Sequence, residues 1–160
     1  MLHRKQILFI QIGTETYAVE INQIKRFTAK VEVLDFDVRN ETSSILGMIC
    51  IYDELIPVLD LCKWFKQESI HLCESTIFVV MTFEGKSFAF PINDVIKCCE
   101  VQNECFHTVP DVFRKESRKS FREVIDYNGK LYLKISGEAI FKEIQVDVEI
   151  LGGGERISEA

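Results

Sequence analysis

Tyr17-Ala18-Val19-Glu20-Ile21-Asn22-Gln23-Ile24 and, 71 positions further on, Phe88-Ala89-Phe90-Pro91-Ile92-Asn93-Asp94-Val95 are two versions of one segment. In the first, Tyr17, Val19 and Ile21 fall on one face of an extended strand; in the second, Phe88, Phe90 and Ile92 do. A glycine-containing turn precedes each copy, at Gly13 and Gly85. Asn22 and Asn93 follow, where an Asn side chain can hold a sharp turn by bonding to nearby backbone.

A second pair of segments lies in the same order. Leu55-Ile56-Pro57-Val58-Leu59-Asp60 answers to Leu131-Tyr132-Leu133-Lys134-Ile135-Ser136 at an offset of 76 residues. Asp60 and Ser136 are both good helix N-caps, each before a short segment that ends in an aromatic, Phe65 and Phe141. Chance could produce either match alone. Two in one order, at nearly equal offsets, indicate a duplicated unit.

The remaining pattern is almost all strand. Ile7–Ile12, Thr16–Ile21, Ile45–Ile51, Leu55–Leu59, Thr76–Phe83, Ser87–Ile92, Phe121–Tyr127 and Lys130–Ile135 are rich in β-branched and aromatic residues, and Gly, Asn and Asp separate many of them. Helical periodicity is confined to short stretches, at Leu61–Gln67, Gly137–Lys142 and part of 111–120. The expected fold is all-β (mainly β), two tandem five-stranded antiparallel barrels with short helices. It forms one domain over residues 1–150, with lobe one at about 6–66, lobe two at about 75–143, and ends free to cross between them. Residues 151–160 read as a disordered C-terminal tail. Neither half has the residues to bury a generous core alone, so the two should pack on each other. Pro57 and Pro91 cannot donate to a sheet ladder and are expected at edges or bulges.

Composition narrows the function. Of 160 residues, 47% are hydrophobic and 28% charged, the balance of a folded soluble chain. No apolar run approaches the roughly 18–20 residues that span a bilayer. Ile7–Ile12 is too short for a signal segment, which points to the cytoplasm. There the six cysteines, at 50, 62, 73, 98, 99 and 105, should be reduced, and none forms a Cys-x-x-Cys pair. His71-Leu72-Cys73 and Cys105-Phe106-His107 have ligand types at strand spacing but read as ordinary strand and loop residues, so no metal is expected. A net charge of −6 argues against nucleic acid, and the basic stretch Arg114–Arg122 carries acids of its own and reads as solvated. Gly152-Gly153-Gly154-Glu155 lacks the Lys-Ser or Lys-Thr of a phosphate-cradling loop. None of the three histidines sits in a catalytic motif, so the chain reads as no enzyme and as needing no cofactor.

Ser44-Ile45-Leu46-Gly47-Met48-Ile49-Cys50-Ile51-Tyr52-Asp53-Glu54-Leu55-Ile56-Pro57-Val58-Leu59-Asp60-Leu61 resembles the signature stretch of the CheW-like chemotaxis coupling family, Ile-x-Gly-Val-x-Asn-Leu-Arg-Gly-x-x-x-Pro-Val-Ile-Asp-Leu. Ile45, Gly47, Pro57, Val58, Asp60 and Leu61 match. Phe9, Gly13, Tyr17, Ala18, Ile21 and Ile24 resemble the family's opening pattern, and Ile77–Val80, Gly85, Ile92 and Val95 its second half. The likeness covers about residues 6 to 142. It implies two SH3-like barrels and a non-enzymatic adaptor in a chemosensory array. Its partners would be the cytoplasmic tip of a chemoreceptor and the regulatory domain of a CheA-type histidine kinase, with no nucleic acid and no membrane insertion.

The departures concern the docking residues. Where the family has Asn-Leu-Arg-Gly this chain has Cys50-Ile51-Tyr52-Asp53, and the family's Arg, at Tyr52 here, is central to its partner contacts. The acid that the family places where Arg26 stands is also missing, so an ion pair has gone as a unit. Asn93 and Ser136 replace family aspartates, and the family's prolines before Gly47 are absent from Lys30–Thr42. The resemblance and the hairpin chemistry together nominate Ile24, Arg26, Gly47, Ile49, Tyr52, Asp53 and Glu54 as partner-binding residues. Gly47, Pro57 and Asp60 also have simple architectural readings. Tyr52, flanked by Asp53 and Glu54, reads as an anchor for a partner rich in Lys or Arg. Two other functions fit the same sequence: a stand-alone interaction module serving a different sensor, and a small-molecule or redox sensor binding between the barrels, with Cys98-Cys99 as its redox element.

Overall fold

The computed structural model describes residues 3–34, 45–65, 67–109 and 121–142. The helix expected within 111–120, most of the basic stretch and the tail at 151–160 lie outside the described residues. Eleven strands are described: β1 (Arg4–Ile12), β2 (Glu15–Glu20), β3 (Ile24–Ala29), β4 (Ile45–Ile51), β5 (Glu54–Leu59), β6 (Ile77–Phe83), β7 (Lys86–Ile92), β8 (Asp94–Gln102), β9 (Phe106–Thr108), β10 (Phe121–Tyr127) and β11 (Lys130–Ile135). One short helix, α1 (Leu61–Trp64), follows β5, and residues 137–142 are helical after β11.

The strands form two sheets, β3-β6-β7-β5-β4 and β8-β1-β2-β11-β10-β9. Superposed on the repeat, these are one order. β8, β1, β2, β11 and β10 stand where β3, β6, β7, β5 and β4 stand. Details repeat as well. A single parallel bridge joins Val58 to Ala89 in one sheet and Lys134 to Ala18 in the other. A bulge interrupts pairing between Ile45 and Gly47, and another between Phe121 and Glu123, 76 positions later. Even β9 has a counterpart, since Leu34 exchanges two backbone bonds with Met48 (2.7 and 2.8 Å) where His107 pairs with Val124.

Each sheet, however, draws on both copies. The hairpin β1–β2 completes the second-copy sheet and the hairpin β6–β7 completes the first. The sheets therefore divide the chain into 24–92 (barrel one) and 4–20 with 94–135 (barrel two), rather than at 6–66 and 75–143. Barrel two has a sixth strand, the three-residue β9.

This exchange explains the burial of β1, β2, β6 and β7 on both faces. Ile49, Ile56, Val58, Phe78, Val80 and Ala89 fill barrel one, and Ile7, Phe9, Ala18, Val101 and Ile125 fill barrel two. The alternate residues Leu8, Ile10, Tyr17, Val19, Val79, Met81, Phe88 and Phe90 meet between the barrels in a shared core. Tyr17 stacks on Phe121 (5.6 Å between centroids, planes 4° apart), and its hydroxyl accepts a bond from Gln67 Nε2 at 2.9 Å.

Several local expectations need correction. Pro57 and Pro91 lie in interior strands, not at edges. Their strands, β5 and β7, meet at the single Val58–Ala89 bridge, and each proline stands within two residues of it, so little ladder is lost there. Asp60 does not cap α1 with its side chain; its buried carboxylate accepts the Ser69 hydroxyl instead. Ser136 does cap, accepting from Ala139 N–H at 3.2 Å. The Asn93 side chain bonds to distant backbone, accepting from Gly13 N–H at 2.6 Å, and so ties the end of β7 to the β1–β2 turn. The helix expected at Leu61–Gln67 is the shorter α1.

Candidate partner-docking surface

The β4–β5 hairpin turns at Tyr52 and Asp53, both with positive φ (48° and 65°). The other strand-to-strand hairpins turn through Gly13, Gly85 and Gly129, which adopt such angles without strain. This tip closes without a glycine, and its aromatic stands 86% exposed.

Arg26 of β3 reaches the tip. Its guanidinium lies over the Tyr52 ring, 4.9 Å from the centroid, a cation–π contact. The two positions where the resemblance implies an ion pair face each other here, with different chemistry. Beside them Lys25 Nζ bonds Glu54 Oε1 at 3.1 Å, again joining β3 to the hairpin. Phe27 and Leu55, the next residue along each strand, are exposed apolar side chains at 45% and 58%. Arg26 has no ion-pair partner among the described residues, and its Nε is buried without an acceptor.

The nominated residues thus separate. Arg26, Tyr52, Asp53 and Glu54 come together at one end of barrel one. Ile24 is half-buried against the shared core. Gly47 and Ile49 are buried and serve the barrel: Ile49 points into its interior, and a Cβ on Gly47 would lie 2.3 Å from the Leu34 carbonyl oxygen. Neither offers a side chain to a partner.

Barrel two carries an equivalent that the sequence reading missed. Lys97, 71 positions after Arg26, sets its ammonium 4.6 Å from the Tyr127 ring and 5.9 Å from that of Phe9. Ile96 and Leu131, which correspond by the offsets to Lys25 and Leu55, are exposed as those two are. The repeat offset was the signal that could have located it.

The second charged feature, also missed, is internal. Lys134 Nζ bonds Glu20 Oε2 at 2.6 Å and Glu123 Oε1 at 2.7 Å, and Lys5 adds a contact to Glu20 at 3.5 Å. Burial alone would raise the Glu20 carboxyl, but Lys134 and Lys5 hold it below the ordinary glutamate value. Burial would likewise lower Lys134, yet Glu123 and Glu20 keep it above the ordinary lysine value.

The cysteines do not form a shared site. Cys98 and Cys99 are successive residues of β8, exposed and half-buried respectively, so their side chains leave opposite faces. Cys62 is buried, and burial with the nearby Asp60 charge pushes its thiol up to about 11. Hydrogen bonds from Ser75 and Thr76 hold the exposed Cys73 thiol below its ordinary value. Among the described residues no three His, Cys, Asp or Glu side chains are grouped to hold a metal. Packed side chains of the shared core occupy the space between the barrels. A cleft of about 210 Å³ beside it is lined by Gln23, Arg122, Glu123, Lys134 and Glu138 among others. No helix among the described residues is long and apolar enough to cross a membrane.

The CheW-like domain model matches residues 6–145. The chain belongs to the CheW-like family. The CheW-like fold is similar in the solved structure of the scaffolding protein TtCheW from Thermoanaerobacter tengcongensis, with a TM-score of 0.73 at 17% identity. The match covers 82% of this chain and 88% of that one. No curated protein matches the sequence. In this CheW-like chain the contact between Arg26 and Tyr52 is the feature that marks the β4–β5 hairpin end of barrel one.

Proposed function

We propose that this CheW-like chain is a chemosensory coupling adaptor. It joins the cytoplasmic tip of a chemoreceptor to the regulatory domain of a CheA-type histidine kinase, supplying affinity and geometry while the chemistry takes place on the kinase. The supporting observation is the exposed Tyr52, seated on Arg26 at the positions where the family pattern implies a charged contact. An exposed aromatic with a polar tip suits a protein contact.

The exchange of that pair also favours a second reading, a module of the same fold serving a different sensor. Reconstitution separates them. Purified chain, receptor signalling fragment and kinase from one organism are combined, and kinase autophosphorylation is followed with and without the chain. Coupling requires binding to both partners and a change in kinase output. Capture of neither partner would leave the second reading. The chain itself is expected to take up no phosphate and to bind no ATP.

A further inference from the structure

The acids at the hairpin tip suggest a basic partner, but the geometry points elsewhere. Glu54 is engaged by Lys25 at 3.1 Å, so its charge is already met. Arg26, the cation beside it, has no carboxylate among the described residues, and its Nε–H is buried with no acceptor. Buried donors are almost always paired, so this Nε–H, at a surface nominated for docking, is a donor that an acceptor on a partner can satisfy. The Tyr52 ring over the guanidinium is highly exposed and rides on a turn where two successive non-glycine residues hold positive φ. Strained positions of this kind cluster at ligand clamps and switch regions.

We propose that the end of barrel one is a carboxylate-reading site. An Asp or Glu of the partner, set among apolar side chains, pairs with the Arg26 guanidinium while the Tyr52 ring takes up the apolar surroundings. The planar fork of arginine matches a carboxylate through two parallel bonds, which a lysine cannot reproduce. Asp53, which has no ion pair among the described residues, stands beside the site and disfavours an acid placed off register. The proposal rests on the docking reading of this surface and deepens it by naming what the partner presents.

The test has two arms. In the first, ¹⁵N-labelled full-length chain is titrated with phenylacetate and, separately, with the near-isosteric phenylacetamide, following the Arg26 Nε–H and Tyr52 amide resonances. Phenylacetate should shift both saturably and at least about threefold more tightly than the amide. The Tyr52 response should vanish in Arg26→Gln and stay weak in Arg26→Lys. Equal responses to the two probes, no response to phenylacetate, or a Tyr52 response that survives Arg26→Gln would overturn the proposal. In the second arm, the kinase regulatory domain from the same organism should bind Arg26→Gln at least about tenfold more weakly than the parent, with little recovery in Arg26→Lys. Equal binding by Arg26→Gln would overturn the carboxylate site and leave the coupling role standing. If the parent bound neither kinase nor receptor, the coupling role would fall, and the first arm would still decide the site.

Discussion

Lys134 stands where Val58 stands in the other barrel: each is the residue that bridges in parallel to an alanine, Lys134 to Ala18 and Val58 to Ala89. The duplication carries further. Glu20 and Glu123, the acids that hold Lys134, correspond by the offsets of 71 and 76 to Pro91 and Gly47. Barrel one thus keeps an apolar Gly-Pro-Val set where barrel two has a buried ionic one. Removing one member of a buried ionic set strands its partners, whereas removing all costs little. Lys134→Val should lower stability by about 3 kcal/mol, and adding Glu20→Ala and Glu123→Gly should recover part of that. Urea denaturation checks it; a triple variant less stable than the single one would contradict the equivalence.

The same set fixes a pH dependence. Glu20 has a lowered folded pKa, so its contribution is complete above the ordinary glutamate value of about 4.3 and is lost as pH falls through the folded value. Lys134 has a raised one, so its contribution is complete below about 10.4 and is lost as pH rises through the folded value. The stability gap between parent and Glu20→Gln should hold steady near neutrality and narrow as pH drops below about 4.3. Urea midpoints measured from pH 7 to pH 3 test this; a gap unchanged at pH 3 would show that Glu20 carries no linkage.

Tyr17 and Phe88 occupy equivalent places in the shared core, 2% and 0% exposed. Either one changed to Ala should cost about 3–5 kcal/mol. A loss below roughly 1 kcal/mol at either position would mean that the junction between the barrels does not hold the molecule together.

Much of this was legible beforehand because strand alternation and duplication leave marks in residue order. The offsets located β2, β7, β5 and β11, and Tyr17 and Phe88 as core. The exchange of hairpins was not legible, since which barrel β1–β2 joins depends on packing that neither copy's pattern records. β3 and β8 were missed because each interleaves charged residues, Lys25 and Arg26 or Lys97 and Glu100, among its apolar ones. At the candidate docking surface, Tyr52 stood out by its place on a hairpin. That Arg26 lies under it, and that Gly47 and Ile49 turn inward, depends on how β3 and Leu34 come alongside β4 and β5.

Gly47 gives a direct test of that close approach. A methyl group there meets the Leu34 carbonyl oxygen and the Val33 side chain, so Gly47→Ala should cost about 1–3 kcal/mol. Gly85→Ala meets nothing within 4 Å but sits at φ +77°, so only the backbone penalty of roughly 1 kcal/mol applies. Equal losses by thermal unfolding would argue that the close approach of Leu34 does not restrict position 47.

The measurement that bears most directly on the coupling role is the affinity of the kinase regulatory domain for the parent chain and for Tyr52→Ala, taken by calorimetry beside thermal melts of both. The ring is exposed and touches Arg26 alone among the described cations, so its loss should leave the melt almost unchanged. Binding should weaken by roughly 2 kcal/mol or more, as for an aromatic hot spot. Unchanged affinity in Tyr52→Ala, with the fold intact, would contradict the assignment of this hairpin as the docking surface.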